Sequence, residues 1–84
     1  MATSEVLLAH MSIYGVVLVH TTSAAIRSER VLLQAGLNIK LIPTPRQFSS
    51  DCGIAVRFSW EQAELVKTLL AAARVEVSRI QLMD

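Results

Sequence analysis

Cysteine is almost absent: Cys52 stands alone in 84 residues. A lone thiol excludes an intramolecular disulfide framework and a structural zinc site built from several cysteines, and it suits a reducing compartment. Charge is scarce too. Charged residues are 18% of the chain and the net charge is +1, which removes the electrostatic case for nucleic acid or an anionic membrane as partner. Long hydrophobic runs are missing. The longest, Ile13 to Val19, falls far short of the ~20 residues that a membrane helix needs. Near the start, Glu5 sits where a secretory leader carries positive charge, and the apolar stretch there is short for one. The expected location is therefore cytoplasmic. No internal repeat or low-complexity stretch interrupts the chain.

What is abundant is apolar side chain, 52% of residues with a mean hydropathy of +0.46. A chain of this size buries only about 60–65% of the surface its unfolded form exposes. The surplus compensates for a thin core, and it also leaves apolar surface for a homo-oligomer to cover.

Residues 1–12 read as an N-terminal arm and 13–84 as one domain. Ile13 to His20 is a strand rich in β-branched residues. It is apolar in both phases, with Ile13, Val17 and Val19 on one face and Tyr14, Val16 and Leu18 on the other. Thr21, Thr22 and Ser23 offer hydroxyls for a helix N-cap. The helix runs to Ala35 with Ala25, Ser28, Leu32 and Ala35 as its inward stripe, and Gly36 stops it. Leu37 to Ile42 is a second strand, ended by Pro43. Pro43 to Cys52 is a polar loop stiffened by Pro43 and Pro45. Gly53 opens a third strand in which Ile54, Val56 and Phe58 alternate with Ala55 and Arg57. Ser59 and Gln62 have capping-box spacing ahead of a helix from Trp60 to Arg74, with Ala63, Val66, Leu70 and Ala73 inward. Val75 to Leu82 is the last strand.

The order β-α-β-β-α-β is a split βαβ pair. Right-handed crossovers leave few arrangements, the common one being an α+β, ferredoxin-like antiparallel sheet in order 4-1-3-2 with both helices on one face. That topology makes strands 1 and 3 neighbours, so His20, Thr21 and Thr22 should meet Cys52 at one end of the sheet. It also leaves Tyr14, Val16 and Leu18 on the face without helices, a patch suited to self-association.

Cys52 lies between Asp51 and Gly53, outside any apolar run, so it is expected in a loop that exposes it. Most lone cysteines are small buried hydrophobes, and that plainer reading stands beside the functional one. Arg46 and the start of the first helix favour the thiolate, the nucleophilic form, whereas Asp51 opposes it. His20 is a candidate base or ion-pair partner for the thiol, or simply a strand-end histidine on a carbonyl. Ser49 and Ser50 are turn residues or ligand-binding hydroxyls. No metal or cofactor is expected, since His20 and Cys52 have no third ligand nearby in the pattern, His10 belonging to the arm.

The run Leu41-Ile42-Pro43-Thr44-Pro45-Arg46-Gln47-Phe48-Ser49-Ser50-Asp51-Cys52-Gly53-Ile54-Ala55-Val56-Arg57-Phe58 resembles the signature of a small bacterial family of selenium/sulfur carrier-like proteins. The segment from Val17 to Ala25, leading to Glu29 and Gly36-Leu37, is similar to it as well. The resemblance covers roughly Tyr14 to Leu70. It implies that Cys52 carries sulfur or selenium, with Arg46, Ser49, Ser50 and Gly53 forming its loop. A persulfide or selenosulfide on Cys52 finds no second cysteine to discharge it, so donor and acceptor would be other proteins or small thiols. The alternative is a non-catalytic module that binds a small ligand or a protein, its cysteine structural. A thiol-dependent enzyme is the weakest option, because no base held by a third group is evident.

Overall fold

The computed structural model describes residues 13–83; the expected arm, 1–12, lies outside the described residues. The elements are β1 (Tyr14–Leu18), α1 (Thr22–Gln34), β2 (Lys40–Pro43), β3 (Ile54–Ser59), a 3₁₀ turn (Trp60–Gln62), α2 (Ala63–Ala72) and β4 (Arg79–Leu82). Every neighbouring pair of strands is antiparallel, in the order β2-β3-β1-β4. This is the expected α+β, ferredoxin-like arrangement.

Thr21 caps α1 from extended backbone, its Oγ1 accepting the Ala24 N–H at 3.1 Å. The inward stripe is Ala24, Ala25, Ser28 and Leu32. Ser28 is buried at no polar cost because its hydroxyl donates to the Ala24 carbonyl at 2.8 Å. Ala35, expected on that stripe, is instead the exposed C-cap. Gly36 follows at φ +83°. Its N–H bonds the Leu33 carbonyl and the Leu37 N–H bonds the Leu32 carbonyl, which is a Schellman turn. Leu37 belongs to that turn, so β2 begins at Lys40 and not at Leu37. The same turn ends α2, where Arg74 sits at φ 57° and the Val75 N–H bonds the Leu70 carbonyl. The last strand therefore starts at Arg79, four residues later than the hydropathy suggests.

Two further expectations are corrected at strand ends. Pro43 does not end the pairing: it lies opposite Ile54, and the ladder continues through the Thr44 N–H to the Gly53 carbonyl at 3.0 Å. An edge strand tolerates proline because only one side needs donors. The Ser59–Gln62 capping box does not form. Ser59 is still paired with Tyr14, and the Trp60 N–H donates to the Ile13 carbonyl at 2.9 Å, so the chain enters α2 through the 3₁₀ turn.

Both helices cover one face of the sheet. Val17, Val19, Val56 and Phe58 pack there with Ala25 and Leu32 of α1 and Val66 and Leu70 of α2. Burying each of the larger side chains contributes about 1.5–3 kcal/mol. The opposite face holds a second cluster, Val16, Leu18 and Ala55 with Ile42, Phe48 and Met83. Val16 and Leu18 are 0% exposed, which corrects the expectation of an open apolar patch. Phe48, carried over by the loop between β2 and β3, closes on that face, and only Tyr14 of the expected trio is exposed, with the Arg57 guanidinium 4.3 Å from its ring centre. The face that motivated a homo-oligomer is already occupied.

Candidate functional site

Antiparallel register sets which segments meet. β1 runs toward the end of the sheet where β3 begins, with Val17 opposite Val56. The loop preceding β3 and the turn from β1 into α1 therefore share one end. His20, Thr22 and Cys52 do come together there, as topology predicts.

The loop is built in two steps. Phe48 N–H bonds the Pro45 carbonyl at 3.1 Å, forming a turn that drops the Phe48 ring into the cluster on the helix-free face. Beyond it the chain crosses to the helix side. The Ser50 hydroxyl donates to the Val19 carbonyl at 2.8 Å and accepts the Cys52 N–H at 3.3 Å. Thr44 holds the other flank, its hydroxyl donating to the Cys52 carbonyl at 2.8 Å. Both backbone groups of Cys52 are thus tied down.

The consequence is that Cys52 is buried, 5% exposed, and packs in the helix-side core with Val19 and Ala25 among its members. This corrects the expectation of an exposed thiol. The polar neighbours that suggested exposure act differently: Ser50 draws the backbone inward, while Ser49, Asp51 and Gly53 remain at the surface. Sγ lies 3.9 Å from Thr22 Oγ1, in the first turn of α1. No acidic side chain occupies that first turn, so nothing on α1 offsets its partial positive N-terminal end.

The remaining predicted residues divide. Thr21 is the helix cap. His20 points its Nδ1 at Asp51 Oδ2, 3.0 Å away, so its polar partner is that carboxylate and not the thiol; both side chains are exposed. Arg46 and Ser49 are exposed on the loop. The hydrogen bonds that reach Cys52 among the described residues come from Thr22, Thr44 and Ser50. Gly53 receives the Thr44 N–H on its carbonyl.

Sequence reasoning missed Thr44 as a holder of Cys52 and Asp51 as the partner of His20. Thr44 carried a signal: between Pro43 and Pro45 it has the only N–H of the three. Among the described residues no group of three His, Cys, Asp or Glu side chains is arranged for a metal, and no helix is long and apolar enough to cross a membrane.

A family model described as "Putative Se/S carrier protein-like" matches residues 14–81. No curated protein and no solved structure matches the chain.

Proposed function

The chain belongs to the Se/S carrier protein-like family, and from that premise we propose that Cys52 holds one sulfur or selenium atom, as a persulfide or selenosulfide, and hands it on. The observation that supports this reading is the place of the only cysteine: beside the Thr22 hydroxyl, at 3.9 Å, at the start of a 13-residue helix. The Thr22 hydroxyl is placed to donate a hydrogen bond to the sulfur of a carrier residue.

The transfer balances without an oxidant. The Cys52 thiolate attacks the outer sulfur of a donor persulfide, a new S–S bond forms, and the donor leaves as its thiolate. Selenium enters in the same way from a donor that holds it as R–S–Se⁻. An acceptor thiolate then attacks the outer atom and Cys52 leaves as thiolate. Thr22 stabilises the anionic sulfur, while Ser50, Thr44 and Gly53 form the backbone frame that holds Cys52. His20 is free to take the thiol proton once movement of the loop carries Asp51 away from its Nδ1. Arg46 and Ser49, exposed on the same loop, are left to meet the donor or acceptor, a protein or a small thiol in the cytoplasm.

The competing reading, a binding module with a structural cysteine, draws on the burial of Cys52. One experiment separates the two. Incubation with a low-molecular-weight persulfide should add the mass of one sulfur atom, removable by dithiothreitol. Cys52→Ser should add none, and Thr22→Val should load more slowly. Wild type that stays unmodified under conditions that load a known carrier would make the cysteine structural.

A further inference from the structure

Cys52 is 5% exposed, which leaves its thiol little room to align with the S–S bond of a persulfide, because in-line attack needs open space beyond the sulfur. Resting on the carrier reading, one question follows: how does Cys52 reach a reactant? Two residues whose closed geometry differs from their expected roles supply the answer.

The first is Ser50. Its hydroxyl is the only described link from residues 49–51 to the buried backbone of β1's end, through the Val19 carbonyl. It also accepts the Cys52 N–H. Breaking those contacts, together with the Thr44 hydroxyl's bond to the Cys52 carbonyl, frees the segment between two fixed points, Phe48 in its apolar cluster and Gly53 on the Thr44 N–H. The second is Gly53. Its φ lies outside the left-handed region, and a Cβ built on it would meet nothing within 4 Å. The contrast with the other glycines is instructive. Gly36 has φ +83°, and a Cβ on Gly15 would lie 2.5 Å from Phe58 Cζ and from Trp60 Cε3. The closed structure therefore has a use for glycine at positions 15 and 36 and none at 53.

We propose that residues 49–52 form a gate over the Cys52 thiol, with Ser50 as its latch and Gly53 as its hinge. Glycine at 53 serves the open form, in which its wider φ/ψ range raises the number of open conformations. The His20–Asp51 pair adds a weak outer tie, since exposed ion pairs contribute little. Both Ser50 and Gly53 are positioning residues that act through Cys52.

Iodoacetamide alkylation of the native full chain, at one pH and compared with thermal midpoints, tests this directly. Ser50→Ala should label about tenfold faster than wild type, the effect of losing one buried hydroxyl hydrogen bond, and Ser50→Thr should restore the slow rate. Gly53→Ala should label about two- to fivefold slower with an unchanged or higher midpoint, because alanine fits the closed backbone and restricts the open one. If Gly53→Ala labels at the wild-type rate, there is no hinge. If the Ser50→Ala acceleration is matched by an equal rise in global unfolding, there is no latch. Should Ser50→Ala fail to fold, Gly53→Ala, which meets no steric obstacle, decides alone. Alkylation reads the gate and sulfur loading reads the carrier: a chain that gates but never loads keeps this inference and loses the other.

Discussion

The two ends of the sheet are closed by different chemistry. Where β1 begins, aromatic rings close it. Phe58 and Trp60 stack with centroids 6.1 Å apart, and Gly15 lets both rings lie against the β1 backbone. Where β1 finishes, hydroxyls close it: Thr21 on Ala24, Ser50 on Val19, Thr44 on Cys52. Packing of large rings is lost only at a cost of several kcal/mol. A single hydroxyl bond has a net worth of about 0.5–1.5 kcal/mol, so the second end can open while the first stays shut.

The helix C-termini repeat the contrast. α1 ends at the end of the sheet where β1 begins, with Gly36 at φ +83°, whereas α2 ends at the opposite end, where Cys52 lies, with Arg74 at φ 57°. A non-glycine residue there costs roughly 1–2 kcal/mol. Strain is thus tolerated at the end that holds the thiol, and relaxed at the other.

The largest expected effect lies at the ring end. Gly15→Ala places a methyl group 2.5 Å from two rings and should destabilise by about 3 kcal/mol. In a domain of this size each kcal/mol lowers the thermal midpoint by about 4–8 °C. A midpoint within a few degrees of wild type would mean that this end is as adaptable as the other. Next in size, and opposite in sign, is Arg74→Gly. It should stabilise by about 1 kcal/mol, read as a higher urea midpoint with unchanged slope. A lower midpoint would show that the Arg74 side chain returns more than its backbone costs. The smallest effect belongs to Asp51→Asn, which should change stability by under ~1 kcal/mol and by still less in high salt. A larger, salt-resistant loss would make the ion pair, and not Ser50, the main closure of the hydroxyl end.

The element order was legible because each element advertises itself locally: β-branched runs for β1 and β3, Thr21 and Gly36 as the borders of α1, and Ala63, Val66 and Leu70 as the buried stripe of α2. The meeting of Thr22 with Cys52 was legible one step later, since split βαβ topology brings those segments together whatever their side chains. Boundaries failed where a backbone bond overrode a side-chain signal. Ser59 had capping-box spacing, yet its pairing with Tyr14 kept it in the sheet. Leu37 and Val75 looked like strand starts and became the last contacts of Schellman turns.

Taken alone, the chain's pattern of apolar residues and breakers determined the secondary-structure order and the strand order, and the particular residues of the Leu41–Phe58 run carried the family resemblance, because all three depend on residue type and spacing. The depth of Cys52 did not. It depends on the Val19 carbonyl, which β-pairing leaves for the hydroxyl of Ser50, 31 residues away, to satisfy. The covering of Val16 and Leu18 depends likewise on where a proline-bounded turn drops Phe48. Such partners are chosen only after the strands have paired, when a buried polar group or an open apolar face must be satisfied by whatever side chain the fold has brought within reach.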